Sequence, residues 1–428
     1  MRFAKAKGKT FRESVITTMK KIILLYILSL AIGVSAQENL NLVFYNLLNY
    51  PQAPPSNRDQ ILSFLVEEMQ PDLFMVCELE SENGSNDILN VSLNFDTIRF
   101  EAAPYVNNTS SGSNLQNQLY FDKNKFELVE TSIVQTSLRD INRYRLKLRT
   151  EEELFIEVFV AHLKASQGED NEAIRLSMVE DLIDFLDTID PTVPVIFAGD
   201  FNLYSSQEPA YQALLNTANP IPFIDPIDTP GDWNNNAAFE AVHTQSTRIS
   251  NDEFDDFGAG GGLDSRFDFI VMSPTLFDAD EPIRYIEESY DAFGNNGNCY
   301  NMRIDDTDCD GFYDASIRAL LYQMSDHLPV VAQLEADATF LPPLSLEDVG
   351  TIAAQKTLVS DYLELRLNNV PQVSVIHIYN NLGQKLKEVA VTGVNARISV
   401  SNLSNGIYFA VIEDEGVSIQ PLKFIKHN

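Results

Sequence analysis

Two short stretches of this chain gather oxygen and imidazole groups at the ends of apolar runs. Ala198-Gly199-Asp200-Phe201-Asn202 follows the run Val193-Pro194-Val195-Ile196-Phe197, and Ser325-Asp326-His327 precedes Leu328-Pro329-Val330-Val331. A brief apolar run of this kind reads as a fully buried strand. A strand that ends in Gly-Asp-x-Asn delivers a carboxylate and an amide oxygen to the lip of a sheet, and hard divalent cations such as Mg²⁺ prefer such oxygen ligands. The second stretch sets a carboxylate beside an imidazole. Together the two point to metal-assisted phosphoryl chemistry.

The elements that must position these groups alternate between strand and helix patterns. Residues 40–45, 73–77, 115–121, 126–135, 154–162, 267–272 and 329–334 read as strands. Residues 57–69 and 172–186 carry apolar side chains at helical spacing, with Ile61, Leu62, Leu65 and Val66 on one face and Ile174, Met178, Leu182, Ile183 and Leu186 on the other helix. Strands mixed with helices imply helices packed outside sheets. Two polar stretches, 107–118 and 228–262, read equally as active-site loops or as surface insertions.

Further motifs stand in order along the chain. They are Phe44-Tyr45-Asn46, Met75-Val76-Cys77-Glu78, Leu119-Tyr120-Phe121, Val160-Ala161-His162-Leu163, the Gly-Asp-Phe-Asn at 199–202, Arg266-Phe267-Asp268-Phe269-Ile270 and the Ser-Asp-His at 325–327. Over residues 38–337 this series resembles the endonuclease/exonuclease/phosphatase superfamily, which includes deoxyribonuclease I, exonuclease III, neutral sphingomyelinases and inositol polyphosphate phosphatases; Cys77 stands where many members have Gln. The resemblance implies an α/β fold, a four-layer α/β/β/α sandwich like that of deoxyribonuclease I, followed by a small all-β C-terminal domain. It implies a metal site of Glu78, Asn46, Asp200 and Asp326, filled by Mg²⁺ or Mn²⁺. It implies catalytic roles for His162, Asp200, Asn202, Asp268, His327 and Tyr120. Asp268 would fix the tautomer of His327 and raise its basicity. Water activated by Asp200 or His327 would attack the phosphorus in line. Arg143 and Arg145, two apart on one strand face, are candidates for a phosphate clamp or for a solvated surface pair.

The implied activity is that of an exported divalent-metal-dependent phosphodiesterase, first of all a nuclease acting on DNA or RNA outside the cell. A phospholipid or small-phosphoester hydrolase of the sphingomyelinase kind is the enzymatic alternative, and a non-catalytic surface binding protein is the other. Composition bears on this choice. With 62 Asp and Glu against 30 Lys and Arg, the formal net charge is −32. That balance argues against a high-affinity, non-specific nucleic-acid binder, leaves room for a nuclease that works through bound metal and a few local arginines, and suits a soluble exported protein.

Met19-Lys20-Lys21, the apolar run 22–34 and Ser35-Ala36-Gln37 have the layout of a secretory signal peptide, too short to span a bilayer with confidence. Residues 1–36 are therefore expected to be removed, with Met19 as the true start and no transmembrane segment in the mature protein. Residues 37–337 would form the catalytic domain and 338–350 a linker. Residues 351–428 carry Ile378-Tyr379-Asn380, Leu382-Gly383-Gln384, Leu403-Ser404-Asn405-Gly406-Ile407-Tyr408 and a terminal Lys423-Phe424-Ile425-Lys426. These resemble the sorting domain of the type IX secretion system, without its usual Pro-Asn-Pro opening. The resemblance implies that the secretion machinery is a partner and that the protein is secreted or held at the cell surface after passage through the periplasm.

Three cysteines remain. Cys299 and Cys309 could close a small disulfide loop in an exported protein, which leaves Cys77 as a buried free thiol. Asp306-Thr307-Asp308-Cys309-Asp310-Gly311 matches the first half of a Ca²⁺ loop, with Ile317 where the loop needs Glu. Asp306, Asp308 and Asp310 are thus candidate Ca²⁺ ligands or an acidic surface turn.

Overall fold

A computed structural model describes residues 38–344 apart from 96–97, 251–252 and 255–256, and residues 351–427 apart from 355–356, 369–372, 382, 393–394, 415–416 and 419–420. The expected signal peptide, 1–36, lies outside the described residues.

The long apolar runs become strands buried on both faces. In β1 (Glu38–Tyr50), Leu40, Leu42 and Phe44 point one way and Val43, Tyr45 and Leu47 the other. Strand β8 (Val195–Asp200) does the same, with Ile196 and Ala198 on one face and Val195 and Phe197 on the other. Such double burial explains why these segments read as continuous rather than alternating hydrophobic stretches.

Strand β1 is flanked by β2 (Leu73–Leu79) and β12 (Val330–Ala336). With β3 (Phe100–Ala102), β4 (Gln116–Asp122), β10 (Ile283–Tyr285) and β11 (Asp291–Ala292) they form the first sheet, in the order β10-β12-β1-β2-β4-β3 with β11 on β12. The second sheet runs β5 (Phe126–Val134), β6 (Ile141–Leu148), β7 (Phe155–His162), β8, β9 (Asp268–Met272). One apolar core, including Phe44, Met75, Leu119, Val158, Ile196 and Ile270, lies between the sheets. Outside the first sheet, α1 (Arg58–Met69) and α5 (Ala315–Met324) cover Val43, Tyr45 and Phe74, with α2 (Glu82–Asp87) beside Tyr120. Outside the second, α3 (Glu169–Leu186) and α4 (Pro209–Leu214) cover Phe159, Phe197 and Phe269. The result is the four-layer α/β/β/α sandwich expected from the sequence.

Strands β3, β10 and β11 and helices α2, α4 and α5 are additions to the sequence reading, and β6 is the strand that carries Arg143 and Arg145. Within 228–262, Trp233 is fully buried, its indole N–H donating to Thr229 O at 2.7 Å, and Thr244, Ser246, Thr247 and Arg248 are buried as well. Cys299 and Cys309 form a disulfide, and Cys77 is free and buried.

The C-terminal region is all-β. Thr351–Ala354, Tyr362–Asn368 and Asn395–Ser399 make one antiparallel sheet, and Val373–Asn380, Lys385–Thr392, Gly406–Asp414 and Leu422–Lys426 make most of another. Leu363, Ile376, Ile378, Ile398, Val400 and Phe424 form its own core. No helix among the described residues is long and apolar enough to cross a membrane.

Candidate active site

Both sheets deliver polar side chains to the same edge of the sandwich. β1 and β2 run parallel, as do β7 and β8, so their C-terminal ends lie together. In the second sheet His162, Asp200 and Asp268 are register neighbours across three strands. From the first sheet come Asn46 and Glu78, and His327 enters just before β12. Backbone geometry marks the edge: Leu48, Asn49, Glu78 and Asn202 have φ of 41°, 44°, 58° and 51°. Non-glycine residues occupy that left-handed region only where surroundings hold them, commonly at functional sites. Gly199 is required for another reason, because a Cβ there would sit 2.4 Å from the Ala161 carbonyl oxygen of the adjacent strand.

Ligand atoms of Glu78, His162 and Asp200 all lie within 4.8 Å of one another. The Asn46 amide nitrogen donates to Glu78 Oε1 and Asp200 Oδ2, each at 3.0 Å, so it sits between two carboxylates as a cation would. Burial raises the Asp200 carboxyl to about 7, with Asp268 and Glu78 adding to the rise and His327 opposing it. Glu78 is raised chiefly by burial, with Asp326 contributing. Burial, helped by Arg139 and His327, pushes His162 well below the usual imidazole range, so the ring is neutral, and its Nδ1 has no hydrogen-bond partner. A buried carboxylate, a part-buried one and a neutral imidazole with a vacant nitrogen form a donor set that fits a divalent cation.

His327 is in the opposite state. Burial alone would lower it, but the carboxylates of Asp268, Asp200 and Asp326 together raise it well above the ordinary value, leaving an imidazolium. Its Nδ1 lies 2.8 Å from Asp268 Oδ2. Its Nε2 lies 3.7 Å from Asp200 Oδ2 and 2.7 Å from the side-chain amide of Gln245. The amide atom at that distance is Nε2, which also donates to Asp326 Oδ2 at 3.4 Å; an imidazolium can only donate, so a flip of the amide would offer it the oxygen instead. Ser325 Oγ, donating to Asn46 O at 2.7 Å and accepting from His327 N–H at 3.1 Å, joins the two motifs. Buried Arg58 reinforces the joint, donating to the carbonyls of Leu47, Leu48 and Met324.

Of the residues singled out in the sequence, Asn46, Glu78, His162, Asp200, Asp268 and His327 converge. Asn202 lies beside them, its backbone N–H donating to Asp200 Oδ1 at 3.0 Å. Others go elsewhere. Tyr120 faces the outer helical layer, where its hydroxyl donates to Ser85 at 3.0 Å, so it is not aimed at phosphate. Arg143 and Arg145 share a face as expected, but both bind the buried carboxylate of Glu157, at 2.9 and 2.8 Å. Asp326 is close by, yet its Oδ2 accepts from Ala259 N–H at 2.7 Å and it stays outside the three-ligand cluster. In the acidic turn, Asp310 pairs with Arg318 at 2.8 Å, and Asp306 accepts from Asp308 N–H at 2.9 Å.

Two residues escaped the sequence reading. Arg139 donates through Nη1 to the carbonyls of His162 and Leu163, at 2.9 and 3.0 Å, and its charge reaches Asp200 and Glu78. Gln245 lies within a loop that the sequence marked only as long and irregular. Its one local signal is the polar run Thr244-Gln245-Ser246-Thr247, which the fold stitches to residues 325–328.

Residues 359–427 match the family described as the secretion system C-terminal sorting domain. No curated protein matches the chain. Among solved structures, the human Nocturnin catalytic domain with a bound sulfate anion is similar at 17% identity, covering 69% of this chain and 94% of that one, with a TM-score of 0.45. An endonuclease/exonuclease/phosphatase family protein from Bacteroides thetaiotaomicron is similar at 14% identity, covering 70% and 98%, with a TM-score of 0.45. TDP2 from D. rerio, complexed with a single-strand DNA product, is similar at 14% identity, covering 69% and 99%, with a TM-score of 0.44. At such distances the chemistry must be read from the side chains.

Proposed function

We propose that this chain is an exported, divalent-metal-dependent phosphodiesterase. The observation that carries this reading is the meeting of Glu78, His162 and Asp200 with the Asp268–His327 pair at one edge of the sandwich. A divalent cation held by Glu78, His162 and Asp200 would supply charge to a phosphoryl oxygen and to the leaving oxygen. Asn46 orients the two carboxylates through its amide. Asp268 holds His327 with Nδ1 toward the carboxylate, so that the Nε2–H would bind a non-bridging phosphate oxygen in place of the Gln245 amide. Asp200, its carboxylate ordered by the Asn46 amide and the Asn202 N–H, can take the proton of an attacking water. Asn202 and Arg139 border the same space, where an amide and a guanidinium bind phosphate oxygens.

The sorting-domain match supports delivery by the type IX system, with residues 1–36 as the export signal and 338–350 as the linker. Nucleic acid and small phosphoesters are both substrates that such a site can cleave.

The test uses the full chain and Asp200→Asn, each with Mg²⁺, Mn²⁺ or EDTA, on bis(p-nitrophenyl) phosphate, supercoiled plasmid and RNA. Metal-dependent turnover that the substitution abolishes is expected. Turnover that survives both EDTA and the substitution, or none with any substrate, refutes the reading.

A further inference from the structure

Helix α1 carries an aromatic side chain on its polar face. Ile61, Leu62, Leu65, Val66 and Met69 are buried in the core outside the first sheet, whereas Phe64 is 43% exposed, on the side that also carries Glu67 and Glu68. An amphipathic helix has no need of an aromatic there. Phe95 is presented by the loop that follows the helical stretch Ile88–Leu93. The neighbouring Asn94 fixes that loop, exchanging side-chain hydrogen bonds with the Phe100 main chain at 2.8 and 2.9 Å. Neither ring is part of an apolar core of the catalytic domain.

A cation from the C-terminal region meets both rings. Lys423 Nζ lies 3.5 Å from the centre of the Phe95 ring and 5.9 Å from that of Phe64. Lys423 belongs to the strand Leu422–Lys426, in which Leu422 and Phe424 enter the core of the C-terminal region. Strand alternation sends Lys423 out through the opposite face. A lysine so placed is ordinarily solvated, yet Lys423 is only 4% exposed. Burial pushes its ammonium down to about 8, with Asp59 of α1 opposing the shift. Two aromatic faces and a carboxylate suit a cation. The tether agrees with this placement. The start of the linker is bonded to the catalytic domain, Leu341 N–H donating to Arg149 O at 2.8 Å and Leu344 N–H to Asn124 Oδ1 at 3.1 Å. Lys123, next to Asn124, donates its N–H to Arg99 O at 3.0 Å, four residues from Phe95. The chain therefore leaves the catalytic domain near the two rings. From Leu344 to Thr351 it can span at most about 25 Å. So short a tether keeps the local concentration of the sorting domain high, and a weak contact is enough to hold it.

We infer that the outer face of α1, with Phe64, Phe95 and Asp59, is a docking surface for the chain's own sorting domain, which enters it through Lys423. None of these residues belongs to the metal cluster or to the Asp268–His327 pair, so docking and hydrolysis are separable. Lys423 is also one of the residues that carry the resemblance to sorting domains. Docking withdraws it from any partner that reads that motif, and release exposes it together with the two rings.

The experiment applies a brief pulse of an amine-acetylating reagent to the full chain and reads each lysine by mass spectrometry. Lys385, whose side chain is 47% exposed, is the internal standard. Phe64→Ala combined with Phe95→Ala should speed the modification of Lys423 by at least about fivefold, the strength of a desolvated cation–π contact, and leave Lys385 unchanged. Both rings lie outside the cores, and circular dichroism checks that the double variant is folded. Small-angle X-ray scattering gives an independent measure. Lys423→Gln should enlarge the radius of gyration, and Lys423→Arg, which keeps a cation that stacks on aromatic faces, should not. The parent's Lys423 rate should not change with protein concentration. A Lys423 rate within about twofold of the parent in the double variant would show that the sorting domain shields this lysine by itself, and overturns the inference. So does a radius of gyration that Lys423→Gln leaves unchanged. A Lys423 rate that falls as protein concentration rises would assign the contact to a second copy, and overturns docking within one chain.

Discussion

Asp268→Asn isolates the contribution of one buried charge to the site. Asp268 is fully buried, its Oδ2 is 2.8 Å from His327 Nδ1, and its Oδ1 has no donor. The amide oxygen can still accept from Nδ1–H, so the ring keeps its orientation. What disappears is the negative charge. A hydrogen bond to a charged group contributes about 1.5–3 kcal/mol against about 0.5–1.5 for a neutral one, so about 1–1.5 kcal/mol of that contact is lost. The new amide N–H₂ lies where Oδ1 found no partner, and a buried unsatisfied donor costs about 1–3 kcal/mol. Relief of repulsion with Asp200, the cross-strand neighbour of Asp268, offsets part of this cost. Net destabilisation should therefore be modest, at about 1–2 kcal/mol. Activity should fall far more. Asp268 is the first of the three carboxylates that raise His327, and without it the imidazolium loses its proton at lower pH. The alkaline limb of the kcat profile moves to lower pH, and kcat on bis(p-nitrophenyl) phosphate falls by about 10²-fold or more. The assay pairs that profile, at saturating metal, with a thermal melt. A kcat within about threefold of the parent, with an unmoved alkaline limb, would show that the His327 charge does not matter to turnover.

Three further outcomes follow from particular contacts. Tyr120→Phe removes a hydroxyl that bonds Ser85 in the outer layer, so stability should fall by about 1 kcal/mol while kcat and KM hold; a lost kcat would return Tyr120 to the site. Reduction of Cys299–Cys309, which closes a separation of 10 residues, should cost about 2–3 kcal/mol in a urea melt. An unshifted midpoint would show that the loop is held by Arg318 and its carbonyl partners instead. Burial would raise the Asp225 carboxyl, but the guanidinium of Arg266 and the hydroxyl of Tyr211 hold it below the usual carboxylate range. Its contribution is therefore present above the unfolded value of about 3.9 and is lost as pH falls through the lower folded one. Asp225→Asn should lose about 3–5 kcal/mol at neutral pH, since it leaves a buried guanidinium uncompensated, and the deficit against the parent should shrink in acid. A deficit independent of pH refutes the assignment.

How much of this could be read in the chain depends on whether a residue's role is set locally or across the sheets. The strands around Phe44, Val76, Val160 and Phe197 were legible because burial on both faces forces unbroken apolar runs, and the motifs at their ends stand where those runs stop. Residues whose position is fixed by the end of a strand, such as Asp200 and Glu78, could therefore be placed. Residues whose role depends on a facing partner could not. Arg143 and Arg145 look like free cations until β6 is laid beside β7 and Arg145 comes opposite Glu157. The direction of Tyr120 follows from which face of β4 meets the helices, a choice that a one-residue change of register would reverse. Gln245 is the extreme case. Only a short polar run marks it in sequence, and it reaches His327 because 244–247 is bonded to 325–328 on one side and to 265–268 on the other. The same long-range pairings that hid these residues set the charge of the site. The count of cations in the sequence overstates the positive charge that a substrate meets, because each arginine bound to a distant carboxylate or carbonyl is withdrawn from it.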